Sequence, residues 1–148
     1  MRLFGTQLCL VFFCSRVKNY DSAGKGGNRF ATVLLYMSDL PEEAGGETVF
    51  SEAYPPEIPE SERRSLKEAL QDLRESGDVE GSGIEKGSWE EEMVAKCQSR
   101  LSVQPKSGRA VLFYSQFPNG EQDFMSKHGG CPVLKGQKWA ANLWVWNT

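Results

Sequence analysis

The chain has 148 residues, enough for one domain with one hydrophobic core, and its 39% hydrophobic and 25% charged residues are ordinary for a globular protein. The net charge is −3 and no segment carries a Lys/Arg cluster, which argues against nucleic acid as a main partner. No apolar run approaches the ~18 residues that a membrane span requires.

Residues 1–18 are atypical. Arg2 precedes a short apolar stretch, Leu8-Cys9-Leu10-Val11-Phe12-Phe13, in the manner of a secretory signal. Gly5, Thr6 and Gln7 interrupt the approach, and no small-x-small cleavage site follows. A buried strand, or a start that does not belong to the domain, accounts for the same residues. Residues 17–28 hold three glycines and several turn formers and read as a loop.

Arg29–Met37 (Arg-Phe-Ala-Thr-Val-Leu-Leu-Tyr-Met) is β-branched and aromatic with little polar alternation, which predicts a strand buried on both faces. Ser38–Gly46 is a turn-rich acidic connection, and Glu47–Ser51 is a short second strand. Residues 52–98 are acidic and polar. Within them Glu60–Ser76 sets Leu66, Ala69, Leu70 and Leu73 on one helical face, between Pro59 and Gly77. Ser88-Trp89-Glu90-Glu91 is a capping box that opens a second helix, with Trp89, Met93 and Cys97 one turn apart. This predicts a helical insertion at about 57–98 whose acidity is either a solvated face or a means of steering substrate.

Strand character resumes at Arg100–Gln104 and again at Arg109–Ser115, which reads as strongly buried; Trp139–Trp146 closes the fold. Short strands, Gly/Pro turns and one helical insertion predict a mainly β jelly-roll or cupin-like barrel. The four cysteines contain no CxxC, so a zinc site is not expected. Cys97 and Cys131 form a disulfide in an oxidising compartment, or else stay as two buried thiols.

The chain's single histidine opens His128-Gly129-Gly130-Cys131-Pro132-Val133, and Lys138-Trp139 follows. With Gly27–Leu40, Gly45-Gly46-Glu47-Thr48-Val49-Phe50, Leu101–Pro105 and Gly108–Phe113, these motifs make residues 26–148 resemble the core of the prolyl 4-hydroxylases. Five motifs in the same order, including the His-to-Lys spacing, are a specific signal. The resemblance implies a double-stranded β-helix that binds Fe(II) and 2-oxoglutarate, with ascorbate keeping the iron reduced. It implies hydroxylation of proline in a peptide or protein substrate, with succinate and CO2 as co-products. His128 matches the distal iron-ligating His, and Lys138 matches the Lys that pairs with the far carboxylate of 2-oxoglutarate. Tyr36 matches an aromatic lining the same pocket, with plain core packing as the alternative. Thr32 and Trp144 point into the barrel as pocket walls on this reading. No side chain is assigned as acid, base or nucleophile, because the oxidant belongs to the iron and the protein supplies positioning. The family's compartment is the endoplasmic reticulum or secretory pathway; otherwise the protein is cytoplasmic.

The chain departs from the family at the early His-x-Asp pair. Asn19-Tyr20-Asp21 stands in that region, with Asn in place of His. Asp21 is the candidate second ligand, or else a turn-capping Asp before Ser22. A site of two His and one carboxylate needs a second His, and the chain has one. Two readings follow. Residues 1–18 are a mis-joined start, which leaves the dioxygenase domain 19–148 incomplete at its N-terminus and exposes a sheet edge. Alternatively, the chain is a non-catalytic barrel that binds 2-oxoglutarate or peptide without turnover.

Overall fold

The computed structural model describes residues 8–10 and 29–146. In chain order the elements are β1 (Leu8–Leu10), β2 (Arg29–Tyr36), β3 (Thr48–Phe50), α1 (Leu66–Ser76), α2 (Trp89–Ser99), β4 (Leu101–Val103), β5 (Ala110–Tyr114), β6 (His128–Gly130) and β7 (Ala140–Trp146). The strands pair into two antiparallel sheets, β1-β7-β2-β5 and β4-β3-β6. This is the mainly β architecture with a helical insertion that the strand pattern predicts.

Side chains alternate across a strand, so the register fixes which residues meet. On β2, Thr32 lies between Phe113 of β5 and Trp144 of β7, Leu34 between Val111 and Asn142, and Tyr36 beside Ala140. On β3, Thr48 lies between Val103 and Gly130, and Phe50 between Leu101 and His128. The two faces meet between the sheets. Phe50 packs edge-on against Phe113 with ring centroids 5.3 Å apart. Val103 packs against the buried cluster of Leu34, Tyr36 and Ala140.

Two burial expectations are corrected. β2 is covered on its inner face, but Leu35 on the outer face is 40% exposed. Among the described residues β5 is an edge strand, and of its five residues only Phe113 is buried; Leu112 and Tyr114 stand open. Their apolar composition reflects strand propensity more than double-sided burial. At the other edge of this sheet, β7 pairs with β1, so the apolar residues Leu8–Leu10 do form a strand.

The insertion has a core of its own, in which Ala69 and Leu73 of α1 meet Val94 and Ala95 of α2. The first helix starts at Leu66, because Ser65 and Glu68 form a reciprocal capping box there; Glu60–Glu62 is a separate 3-10 turn. Gly77 ends it in the left-handed conformation, φ 73°. Ser88 caps α2 by accepting the Glu91 N–H, but the Glu91 carboxylate does not complete the box. It is buried and takes a two-pronged hydrogen bond from Arg74, at 2.8 Å to each oxygen, and another from Gly87 N–H. Trp89 is exposed, so the Trp89–Met93–Cys97 stripe is not the insertion's core face. Met93 and Cys97 instead reach the barrel. The Met93 methyl fills the space beside Gly129 of β6, and Cys97 forms a disulfide with Cys131.

Candidate active site

His128 enters the barrel at the first residue of β6, opposite Phe50. Its Nδ1 lies 2.9 Å from the Ser126 carbonyl. A carbonyl only accepts, so Nδ1 carries the proton and Nε2 keeps a free lone pair. Phe113 packs on the ring at a centroid distance of 4.5 Å, and Phe50 lies at 6.1 Å. His128 is solvent-exposed, but where Phe113 and Phe50 cover the ring partial desolvation lowers the imidazole pKa; the Ser126 carbonyl opposes that shift, and the positive charge of Arg29 adds to it. The neutral, metal-ligating form is therefore favoured.

Lys138 precedes β7 and turns inward. Its Nζ lies 3.4 Å from Thr48 Oγ1, 3.5 Å from the Glu47 carbonyl and 5.4 Å from the centre of the Tyr36 ring. Desolvation pulls its pKa down to about 8, with the Glu47 charge opposing. No carboxylate of the described residues forms an ion pair with it. Tyr36 is fully buried. Its hydroxyl lies 2.7 Å from Thr48 Oγ1 and donates to the Val103 carbonyl at 3.1 Å. Burial raises the Tyr36 pKa, so the phenol stays protonated. Lys138, Thr48 and Tyr36 thus form one polar cradle that joins the two sheets.

Gly45 and Gly46 bring the Lys138 loop in close. A side chain on Gly45 would put its Cβ 2.3 Å from the Pro132 carbonyl oxygen, and one on Gly46 would put its Cβ 2.7 Å from Leu40 Cδ1. Both have positive φ, 69° and 80°, which glycine adopts without strain. Gly46 N–H donates to the Pro132 carbonyl at 2.9 Å.

Thr32 is buried in the inner row with Phe113 and Trp144, at the level of His128. Arg29 lies over the Trp144 ring at 4.8 Å. The structure therefore brings Thr32, Trp144 and His128 to one end of the interior and Tyr36 with Lys138 to the other. On β3 the two levels are marked by Phe50 and Thr48, one inward step or ~7 Å apart. Between them the walls are Leu34, Val111 and Asn142. Thr48 and Phe113 were missed in the sequence. The period-two relation between Thr48 and Phe50, and between Val111 and Phe113, was the signal that could have found them.

The residues fit a dicarboxylate better than they fit iron. Asp21 lies outside the described residues. Among the described residues the one group of three potential ligands is Glu47, Cys97 and Cys131, and the disulfide occupies both sulfurs. His128 belongs to no such group, so these residues alone do not make a three-ligand iron centre.

A family model described as the 2OG-Fe(II) oxygenase superfamily matches residues 15–146. The chain belongs to this superfamily. Membership implies Fe(II) and 2-oxoglutarate as metal and cosubstrate. Among similar proteins, Prolyl 4-hydroxylase 2 of Arabidopsis thaliana is 40% identical over 121 residues, 82% of this chain and 31% of that protein. Prolyl 4-hydroxylase 5 of the same plant is 37% identical over 119 residues, 80% of this chain and 31% of that protein. The chain thus spans about a third of the length of the curated relatives it matches. A solved structure of the viral collagen prolyl hydroxylase vCPH from Paramecium Bursaria Chlorella virus-1, as its 2OG complex, aligns with a TM-score of 0.48 at 22% identity. That alignment covers 86% of this chain and 46% of the viral one.

Proposed function

We propose that this oxygenase chain serves hydroxylation of peptidyl proline, as in a prolyl 4-hydroxylase. One oxygen atom of O2 enters the proline and the other enters succinate, as 2-oxoglutarate loses CO2. The observation that carries the reading is the cradle of Lys138, Thr48 and Tyr36. A desolvated ammonium that forms no ion pair among the described residues calls for an anion, and a carboxylate there would gain a charge-assisted hydrogen bond from Lys138. The names of the plant relatives support proline in a peptide or protein as the substrate.

On this reading Lys138 and Thr48 hold the far carboxylate of 2-oxoglutarate, Tyr36 orients Thr48, and Thr32 and Trp144 wall the other end with Phe113. His128 offers Nε2 to the iron, Asp21 is the candidate second ligand, and ascorbate is the reductant that keeps the metal ferrous. Iron, when bound, supplies the oxidising chemistry, while the chain binds, orients and excludes water. The Cys97–Cys131 disulfide supports an oxidising compartment such as the endoplasmic reticulum.

A second reading, a barrel that binds 2-oxoglutarate or peptide without turnover, is favoured by the single histidine. The test is 2-oxoglutarate decarboxylation with Fe(II), ascorbate and a proline-rich peptide, beside His128→Ala. Turnover that needs both the peptide and His128 supports the dioxygenase. Binding of 2-oxoglutarate that is lost in Lys138→Ala, without turnover, supports the second reading. A wild-type chain that binds neither 2-oxoglutarate nor the peptide rejects both.

A further inference from the structure

Arg100 is a buried cation that the cradle does not use; it is 9% exposed. Its guanidinium lies over the Tyr54 ring, 4.4 Å from the centroid, and the exposed Arg63 lies 5.1 Å from the same centroid. The ring is pinned, because the Tyr54 hydroxyl donates to the Arg64 carbonyl at 3.0 Å. Arg100 Nη1 donates to the Ser99 carbonyl at 3.2 Å and to Ser99 Oγ at 3.0 Å, which satisfies the end of α2. Its Nε and Nη2 donate to no group among the described residues. That edge is the fork with which Arg74 holds both oxygens of Glu91. Neither Arg100 nor Arg63 forms an ion pair among the described residues. Glu52, two residues from Tyr54, is held by Lys127 at 3.4 Å, and Asp72 by Arg64. Stacking on an aromatic ring satisfies the face of a guanidinium but not its N–H edge, and a buried donor without an acceptor is costly.

We infer that Arg100 and Arg63 form a carboxylate subsite at the His128 end of the barrel, which takes an Asp or Glu side chain of the peptide substrate. This rests on the peptidyl-proline reading of the barrel. From Thr48 to Phe50, β3 runs from the Lys138 level to the His128 level, and the chain goes on from there to Tyr54. β4 runs the opposite way, so Arg100 lies one residue beyond Leu101, the partner of Phe50. The Leu101 N–H donates to the Ala53 carbonyl at 2.9 Å and joins the two segments. β4 and β6 flank β3, so two strand spacings, ~10 Å, separate the backbone of Arg100 from that of His128. An extended proline-rich peptide covers that distance in about three residues. A peptide with its proline at His128 therefore brings a near neighbour of that proline to Arg100. Arg100 supplies the fixed fork, and Arg63 adds a second positive charge.

The experiment measures binding of labelled proline-rich peptides to the full chain by fluorescence anisotropy at low ionic strength. One series carries a single Glu at each position flanking the central proline, and a matched series carries Gln. In wild type, Glu at the favoured position should bind about tenfold tighter than Gln, the effect of a charge-assisted hydrogen bond. Arg100→Lys keeps the charge but loses the fork, and it should bring that ratio close to one. Arg63→Gln, at an exposed position that the fold does not need, should lower the ratio and leave the melting temperature unchanged. Peptides that bind wild type equally well with Glu or Gln at every position would overturn the subsite and leave the peptidyl-proline reading standing. A preference for Glu that survives in both variants would place the recognition elsewhere and overturn it too. A wild-type chain that binds none of the peptides rejects the peptidyl-proline reading, and this inference with it.

Discussion

The Phe113 ring meets the His128 imidazole edge-on at 4.5 Å, and the two residues come from different sheets. Phe113 also touches Phe50 at 5.3 Å. One aromatic side chain therefore closes the core and fixes the candidate ligand.

Phe113→Ala should cost about 3 kcal/mol of stability, the usual cost of emptying a buried aromatic site. Phe113→Leu should recover much of it. Urea denaturation followed by tryptophan fluorescence measures both. A loss well under 1 kcal/mol in the alanine variant would mean that the sheets do not depend on this contact.

Lys138 makes cosubstrate binding sensitive to alkali. Its pKa is held down to about 8 by desolvation, against 10.5 for the free side chain. A carboxylate binds the ammonium form, so on the proposed reading 2-oxoglutarate affinity is level below about pH 8 and falls up to tenfold per unit above it. The stability effect has the opposite sense. Between about 8 and 10.5 the unfolded chain holds the extra proton, so this group makes the unliganded fold more stable as pH rises through that window. Titration of affinity from pH 6.5 to 9.5 tests the first effect, and a Lys138→Met control should flatten it.

Glu91 gives the insertion its acid sensitivity. The Arg74 hydrogen bonds, then the Gly87 N–H, lower its pKa from 4.5 to about 2. Its contribution is complete above about 4.5 and is lost as pH falls toward about 2. Glu91→Gln should melt at lower temperature than wild type at pH 7, and its melting point should fall less between pH 4.5 and 2. Equal acid slopes in the two proteins would remove Glu91 from the account.

Reduction of Cys97–Cys131 opens a crosslink between residues 34 apart in sequence. The loop-entropy relation predicts a loss of about 4 kcal/mol. Denaturation with and without dithiothreitol measures it, and the Cys97→Ser/Cys131→Ser variant should match the reduced protein.

Much of this was legible in the sequence. The strand at Arg29, the closing strand to Trp146, both helices and the inward Lys138 follow from local patterns of apolar spacing and capping. β5 was misjudged because β-branched and aromatic residues serve an edge strand as well as a central one. The start of α1 was misjudged because Pro59 is a strong punctuation mark, while Ser65 with Glu68 satisfies more backbone groups. Thr48 escaped notice because its role depends on Tyr36 and Lys138, which are distant in the chain and meet it only across the sheets.

The Tyr36 hydroxyl has two attachments on the facing sheet, Thr48 and Val103, and Lys138 leans on the same threonine. These bonds form a seam along which the sandwich is stitched. An anion seated at Lys138 would draw that stitch tighter, so loading the pocket and closing the two walls become one event. Hydrogen exchange at the amides of β4, a strand that the small molecule does not touch on this reading, would then slow on saturation.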